Sequence, residues 1–189
     1  MSLRSACALV WVLLVFPVVA RAQPPSGVKA VEYEAKSVGR TLKYFVALPE
    51  GYESGAERYP VLYLLHGYSG NYNSWAKHRA QDAARPHGFI VVMPDGGNSW
   101  FVNWSTSEGG QNNAWEDSVV KDLIPHVDAT YRTIARREGR AINGLSMGGY
   151  GAAVVGLATP TCSPPWGATA ARSPSPTTWP NGSARGKTP

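Results

Sequence analysis

Gly144-Leu145-Ser146-Met147-Gly148 sets a serine between glycines in the pattern G-x-S-x-G. A serine hydroxyl is a weak nucleophile until the chain presents it, and this pattern does so by turning a strand abruptly into a helix. The turn strains the backbone at the serine and tolerates only small neighbours, which the glycines supply. Ser146 Oγ would then stand at the top of a sheet. The backbone N–H of Met147, at the positive end of the new helix, would donate to the oxyanion formed when a carbonyl is attacked. A second donor lies upstream in "LLHGYSGNYNSW", where Gly67 lets the chain turn after an apolar run and the N–H of Tyr68 would point into the same space. Such a set would support acyl transfer through a serine. The alternative is a Gly-rich strand-to-helix turn in which the serine is incidental. His66, at a strand end ahead of the nucleophile, reads better as a brace for the loop than as a base.

That geometry requires a buried strand leading into Ser146 and a helix leaving it, and "GRAINGLS" from Gly139 followed by "GGYGAAVVGL" fits both. Two more short apolar runs, "YPVLYLLHG" from Tyr59 and "FIVVMPDGG" from Phe89, read as strands buried on both faces. Between them, residues from Asn73 to Arg85 have helical composition. Upstream, "VEYEAKSVGRTLKYFVALP" alternates twice about Val38-Gly39, with Leu42, Tyr44 and Val46 on one face, which predicts an antiparallel hairpin. Trp115, Val119, Leu123, Val127 and Tyr131 fall four apart on one face of a predicted helix, which Pro125 should kink. Strands alternating with helices give an α/β fold with a mostly parallel sheet. In such sheets the chemistry sits at the carboxyl ends of the strands, here at His66-Gly67, Asp95-Gly96-Gly97 and Ser146.

Composition bounds the rest. Residues 1–22 read as a signal peptide, with an early Arg4, an apolar run from Ala6 to Ala20 and a small-x-small site at Ala20-Arg21-Ala22. The expectation is export to the periplasm or beyond. No stable membrane anchor is expected, because the run is shorter than the roughly 20 apolar residues a span needs and Pro17 interrupts it. Cys7 leaves with this leader, so Cys162 has no internal disulfide partner. Of the 18 Lys and Arg, Arg4 and Arg21 lie in the leader and Arg172, Arg185 and Lys187 near the other end. The middle of the chain therefore sets 13 basic residues against all 13 acidic ones, and no basic stripe marks it for nucleic acid.

The stretches "YPVLYLLHGYSGNYNSW", "VVMPDGGNSWFVNW" and "AWEDSVVKDLIPHVDATYRTIARREGRAINGLSMGGYGA" together resemble the esterase D family of α/β-hydrolases. That group includes S-formylglutathione hydrolases, feruloyl and acetylxylan esterases and secreted mycolyltransferases. The resemblance covers Val31 to Leu157. It implies a serine hydrolase of esters or thioesters that uses no cofactor and no metal, with Ser146 as nucleophile and the N–H groups of Tyr68 and Met147 as oxyanion hole. The substrate would be a small-molecule or carbohydrate-linked ester. Trp75, Trp100 and Trp104, with Tyr68, Tyr72 and Phe101, are candidates for a platform under a sugar or aryl group, and equally for a packed rim of the sheet. Glu116 matches a recurrent acidic position of the family and also suits a helix N-terminus.

A serine also needs a general base and an acid to orient it, which in these folds follow the nucleophile in the order Asp or Glu, then His. No acidic residue and no histidine follows Ser146. The expectation is therefore an incomplete domain over residues 23–157, the N-terminal part of the fold through the nucleophile elbow, inactive or nearly so as written. A non-catalytic exported protein that binds carbohydrate or aryl esters is the alternative. Residues 158–189 hold seven of the 15 prolines and no apolar run longer than two, the composition of a disordered segment. Read from each codon's third base onward from Leu157, suitable codons spell "RHPDLFSAVGSHSGALS", which resembles the family's continuation after the elbow. The change of composition near Leu157 is thus expected to be a shifted reading frame.

Overall fold

A computed structural model describes residues 24–105 and 113–158. The expected leader, and the expected tail from residue 159 on, lie outside the described residues. The hairpin forms where the alternation predicts it: β1 (Lys29–Ala35) pairs antiparallel with β2 (Arg40–Ala47), Tyr33 standing opposite Leu42. Its turn is a 3₁₀ segment, Lys36–Val38, closed by Gly39 at φ 65°.

The three apolar runs become β3 (Val61–Leu65), β4 (Ile90–Pro94) and β5 (Arg140–Gly144). They are mutually parallel, and the five strands take the order β1-β2-β4-β3-β5 with β2 antiparallel to β4. All five residues of β4 are buried, because helices cover both faces of the sheet. On one face Leu42, Tyr44, Val46, Tyr63, Leu65, Val92 and Ile142 form a single core with the apolar sides of two helical segments. On the other, Phe45, Leu64, Val91 and Met93 pack under α1 (Ser74–Lys77) and α2 (Ala80–Ala84).

The helix predicted from Trp115 is present, but it does not run as one α-helix. α3 (Trp115–Asp117) opens into a π-helical stretch, Ser118–Leu123, before α4 (Ile124–Thr130) resumes. Pro125 is the reason: it offers no N–H to the preceding turn and its ring crowds the carbonyl there, so a wider turn accommodates it. Trp115, Val119, Leu123 and Val127 still reach the core together, with Tyr131 half-buried beside them. At the far end the Asp128 carboxylate accepts hydrogen bonds from Thr133 Oγ1 (2.6 Å) and Arg140 Nη2. That bond fixes the start of β5, the strand that delivers the serine. Only Leu145 and Ser146 separate the end of β5 from the last helix, α5 (Met147–Ala158). Among the described residues, no helix is long and apolar enough to cross a membrane.

Candidate active site

Ser146 sits between β5 and α5 at φ 53°, a left-handed conformation that side chains avoid at roughly 1–2 kcal/mol. The close packing around it explains the glycines. A Cβ on Gly144 would lie 2.3 Å from the backbone of Gly148, and one on Gly148 would lie 2.2 Å from the carbonyl oxygen of Leu65. The strand end is tied to β3 by the Leu145 N–H, which donates to the Leu65 carbonyl at 3.2 Å, and the turn is closed by the Gly148 N–H on the Leu145 carbonyl at 2.9 Å. Ser146 itself is exposed, whereas the Met147 side chain is fully buried and anchors the start of α5 in the core. As the first helical residue, Met147 has an N–H with no intrahelical acceptor.

The loop after β3 runs alongside. A Cβ on Gly67 would stand 3.8 Å from Ser146 Cβ, so the loop after β3 starts beside the serine. His66 braces that loop from beneath. Its buried ring accepts the Gly96 N–H on Nε2 at 3.0 Å. An N–H can only donate, so Nε2 is unprotonated, and Nδ1 carries the proton that the Gly67 carbonyl accepts at 2.8 Å. Both ring nitrogens are thus spent on backbone groups. Burial works to raise the Asp95 carboxyl, but the nearby His66 ring and the N–H groups of Gly97 and Gly96 hold it below the usual carboxylate range. Nε2 already holds the Gly96 N–H, and its 3.7 Å separation from Asp95 Oδ1 is too long for a hydrogen bond. His126, on α4, faces the Tyr44 hydroxyl at 3.1 Å. Glu116 sits in the first turn of α3, where its charge suits the helix dipole.

The three candidate tryptophans separate. Trp75, on α1, is packed: its indole N–H donates to the Leu65 carbonyl at 2.9 Å and its ring lies against the core on that face of the sheet. Trp100 is 39% and Trp104 51% exposed, and Tyr68, Leu145 and Tyr150 add exposed apolar surface at this end of the sheet. The Trp100 ring meets Tyr150 on α5 edge to face at 5.8 Å, and Trp104 donates its indole N–H to the Ser99 carbonyl.

Two features here had no sequence reading. Trp100 and Phe101 are consecutive residues at φ 60° and 56°. Phe101 is fully buried, edge-on to His66, in space left by Gly96 and Gly151, where a Cβ would stand 2.1 Å and 2.6 Å from it. Its side chain wedges the β4 loop between the His66 brace and α5. The second is Asn98, whose Oδ1 accepts the Ser69 N–H at 2.8 Å and joins the loops after β3 and β4. The run of turn residues "DGGNS" was the available signal.

A mixed sheet with helices on both faces and a strained serine between strand and helix define the α/β-hydrolase fold in its serine form. The chain belongs to the putative esterase family, whose family model matches residues 35–186. It is 36% identical over 123 residues to an esterase of Mycobacterium tuberculosis, a match covering 64% of this chain and 27% of that protein. It is 32% identical over 154 residues to an endo-1,4-beta-xylanase/feruloyl esterase of Xylanibacter ruminicola, covering 74% of this chain and 21% of that one. The chain thus spans about a quarter or less of the length of these two relatives. Its fold is similar to that of an S-formylglutathione hydrolase from Agrobacterium tumefaciens, with a TM-score of 0.65 at 18% identity over 76% of this chain and 59% of that one.

Proposed function

We propose that this chain carries the nucleophile and the oxyanion hole of an exported serine esterase acting on small-molecule or carbohydrate-linked carboxylic esters. The observation that carries the reading is the left-handed Ser146 between β5 and α5 with the start of the loop after β3 beside it. Ser146 Oγ attacks the ester carbonyl carbon and gives up its proton. The developing oxyanion accepts hydrogen bonds from the Met147 and Tyr68 N–H groups, and collapse expels the alcohol to leave an acyl-serine that water hydrolyses. Trp100, Trp104 and Tyr150 form the wall against which the apolar part of the substrate packs.

The proton from Ser146 needs an acceptor. His66 has both nitrogens engaged, and no Asp, Glu or His follows Ser146 in these 189 residues. The polypeptide as written is accordingly proposed to turn ester over only slowly, retaining on the order of 10³–10⁴ over water from its oxyanion hole and binding surface. The shifted frame after Leu157 is the proposed source of the base and its orienting acid. The leader over residues 1–22 is proposed to direct export.

A fluorophosphonate probe and p-nitrophenyl acetate test the reading on the full chain, with Ser146→Ala as control. Slow covalent labelling confined to Ser146 supports it. No labelling, with saturable binding of an aryl ester or oligosaccharide, replaces it by the non-catalytic binding protein.

A further inference from the structure

Ser99 and Val102 close a turn whose central residues are Trp100 and Phe101, the Val102 N–H donating to the Ser99 carbonyl at 3.5 Å. With φ at 60° and 56° the pair has the sign pattern of a type I′ turn, which glycine, asparagine and aspartate fill most readily. Two aromatic residues are poor occupants. The mirror-image type I turn would relieve both. With the Ser99-Trp100 peptide held still, that change would swing the Trp100 Cα–Cβ bond by about 120°.

Hydrogen bonds fix the peptide planes on both sides of the Trp100 Cα against this change. The Ser99-Trp100 peptide is held through its carbonyl, which also accepts the Trp104 indole N–H at 2.8 Å. The Trp100-Phe101 peptide is held through its N–H, which donates to Ser99 Oγ at 3.1 Å. That hydroxyl cannot follow the N–H to the other face of the turn, because Ser99 is buried and Oγ donates to the Gly96 carbonyl at 2.6 Å. Gly96 is in turn bound through its own N–H to His66 Nε2. The same peptide rests on α5, where a Cβ on Gly151 would stand 3.0 Å from the Trp100 carbonyl oxygen.

From this geometry we infer that Ser99 is a positioning residue that aims Trp100 at Tyr150, whose N–H donates to the Ser146 carbonyl one helical turn from the serine. The inference rests on the proposed wall of Trp100, Trp104 and Tyr150. It adds that one buried serine organises both tryptophans, its hydroxyl holding the turn that carries Trp100 and its carbonyl holding the Trp104 indole. Gly96 and Gly151 give the Phe101 ring its room, and Ser99 selects the hand of the turn. A wall set before the ester arrives leaves little ordering to be done on binding.

The test uses the full-length protein with Ser146→Ala, in which no acyl-serine forms, and titrates phenyl acetate and ethyl acetate against the Trp104 indole N–H resonance. Adding Ser99→Ala should weaken phenyl acetate binding about three- to tenfold and leave ethyl acetate within about twofold, the same pattern as adding Trp100→Ala. With both substitutions the loss should be no larger than with Trp100→Ala alone, because the two act through one ring. Nuclear Overhauser contacts between the Trp100 and Tyr150 rings should disappear in Ser99→Ala. With Ser146 restored, Ser99→Ala should leave the maximal rate of fluorophosphonate labelling within about twofold. Unweakened phenyl acetate binding, additive losses, equal loss for both esters, or ring contacts that survive in Ser99→Ala overturn the inference. If Trp100→Ala itself does not weaken phenyl acetate binding, the wall reading fails, while the ring contacts still decide whether Ser99 holds the turn.

Discussion

A Cβ on Gly148 would stand 2.2 Å from the carbonyl oxygen of Leu65, so the first turn of α5 rests directly on the end of β3. The obstruction is backbone on both sides and cannot swing aside as a side chain would. Gly148→Ala should therefore destabilise the fold by about 3 kcal/mol, the upper part of the range for overpacking. Gly39 is the control: it has a positive φ but nothing within 4 Å of a Cβ, so Gly39→Ala should cost only about 1 kcal/mol. Urea midpoints of the two variants check the difference.

Strain at the serine gives a second expectation. Alanine at position 146 keeps the left-handed penalty, whereas glycine escapes it and loses only some unfolded-state entropy. Ser146→Gly should thus be more stable than Ser146→Ala by on the order of 1 kcal/mol. Both should be blind to a fluorophosphonate. Equal denaturation midpoints would show that the elbow stores no strain.

The stability of the protein should depend on pH through His126. Its ring lies against Tyr33 and accepts or donates at the Tyr44 hydroxyl, and burial holds its pKa below the ordinary histidine value. Burial also raises both phenols well above their usual range, Tyr33 further through the charges of Asp122 and Asp95, so His126 faces neutral partners. The folded state therefore prefers the neutral ring. The unfolded chain takes up a proton near pH 6.5, so stability is complete above that value and declines as pH falls through the lower, folded one. Thermal melts between pH 7.5 and 5 should show this loss, and His126→Gln should flatten it.

Trp100 should govern recognition without governing chemistry. Its ring is partly exposed and held by Tyr150, so Trp100→Ala removes apolar wall and an aromatic contact worth about 0.5–1.5 kcal/mol. Binding of an aryl ester, followed by fluorescence, should weaken about three- to tenfold. The maximal rate of Ser146 labelling should change little. A fall in that rate with unchanged binding would move Trp100 from the wall to the turn that positions α5.

The elements that deliver Ser146 were legible because each obeys a local rule. β4 is apolar at every position since both its faces are covered, and the glycines of the elbow announce the contact between Gly144 and Gly148. The π-helical stretch was half legible: Pro125 marked the disturbance, but the widening that absorbs it depends on keeping Trp115 and Val127 on one core. Trp75 stayed open between platform and packed rim because composition alone does not separate a tryptophan whose N–H is bonded to Leu65 from one facing solvent. The left-handed pair Trp100-Phe101 was invisible for a stronger reason. Neither residue favours that conformation, and it exists only because Gly96 and Gly151, far apart in sequence, leave a slot for the Phe101 ring.

β5 stands last in the strand order, paired with β3 on one side and with no further strand among the described residues on the other. Beside it α5 carries no charged residue and leaves Tyr150 and Leu157 exposed. A sheet margin of this kind offers its backbone groups to any extended segment that meets it. The state of the protein in solution should accordingly depend on dose: dilute samples should sediment as single chains, and concentrated ones should self-associate through β5. A lysine at exposed Asn143 should raise the concentration at which that begins.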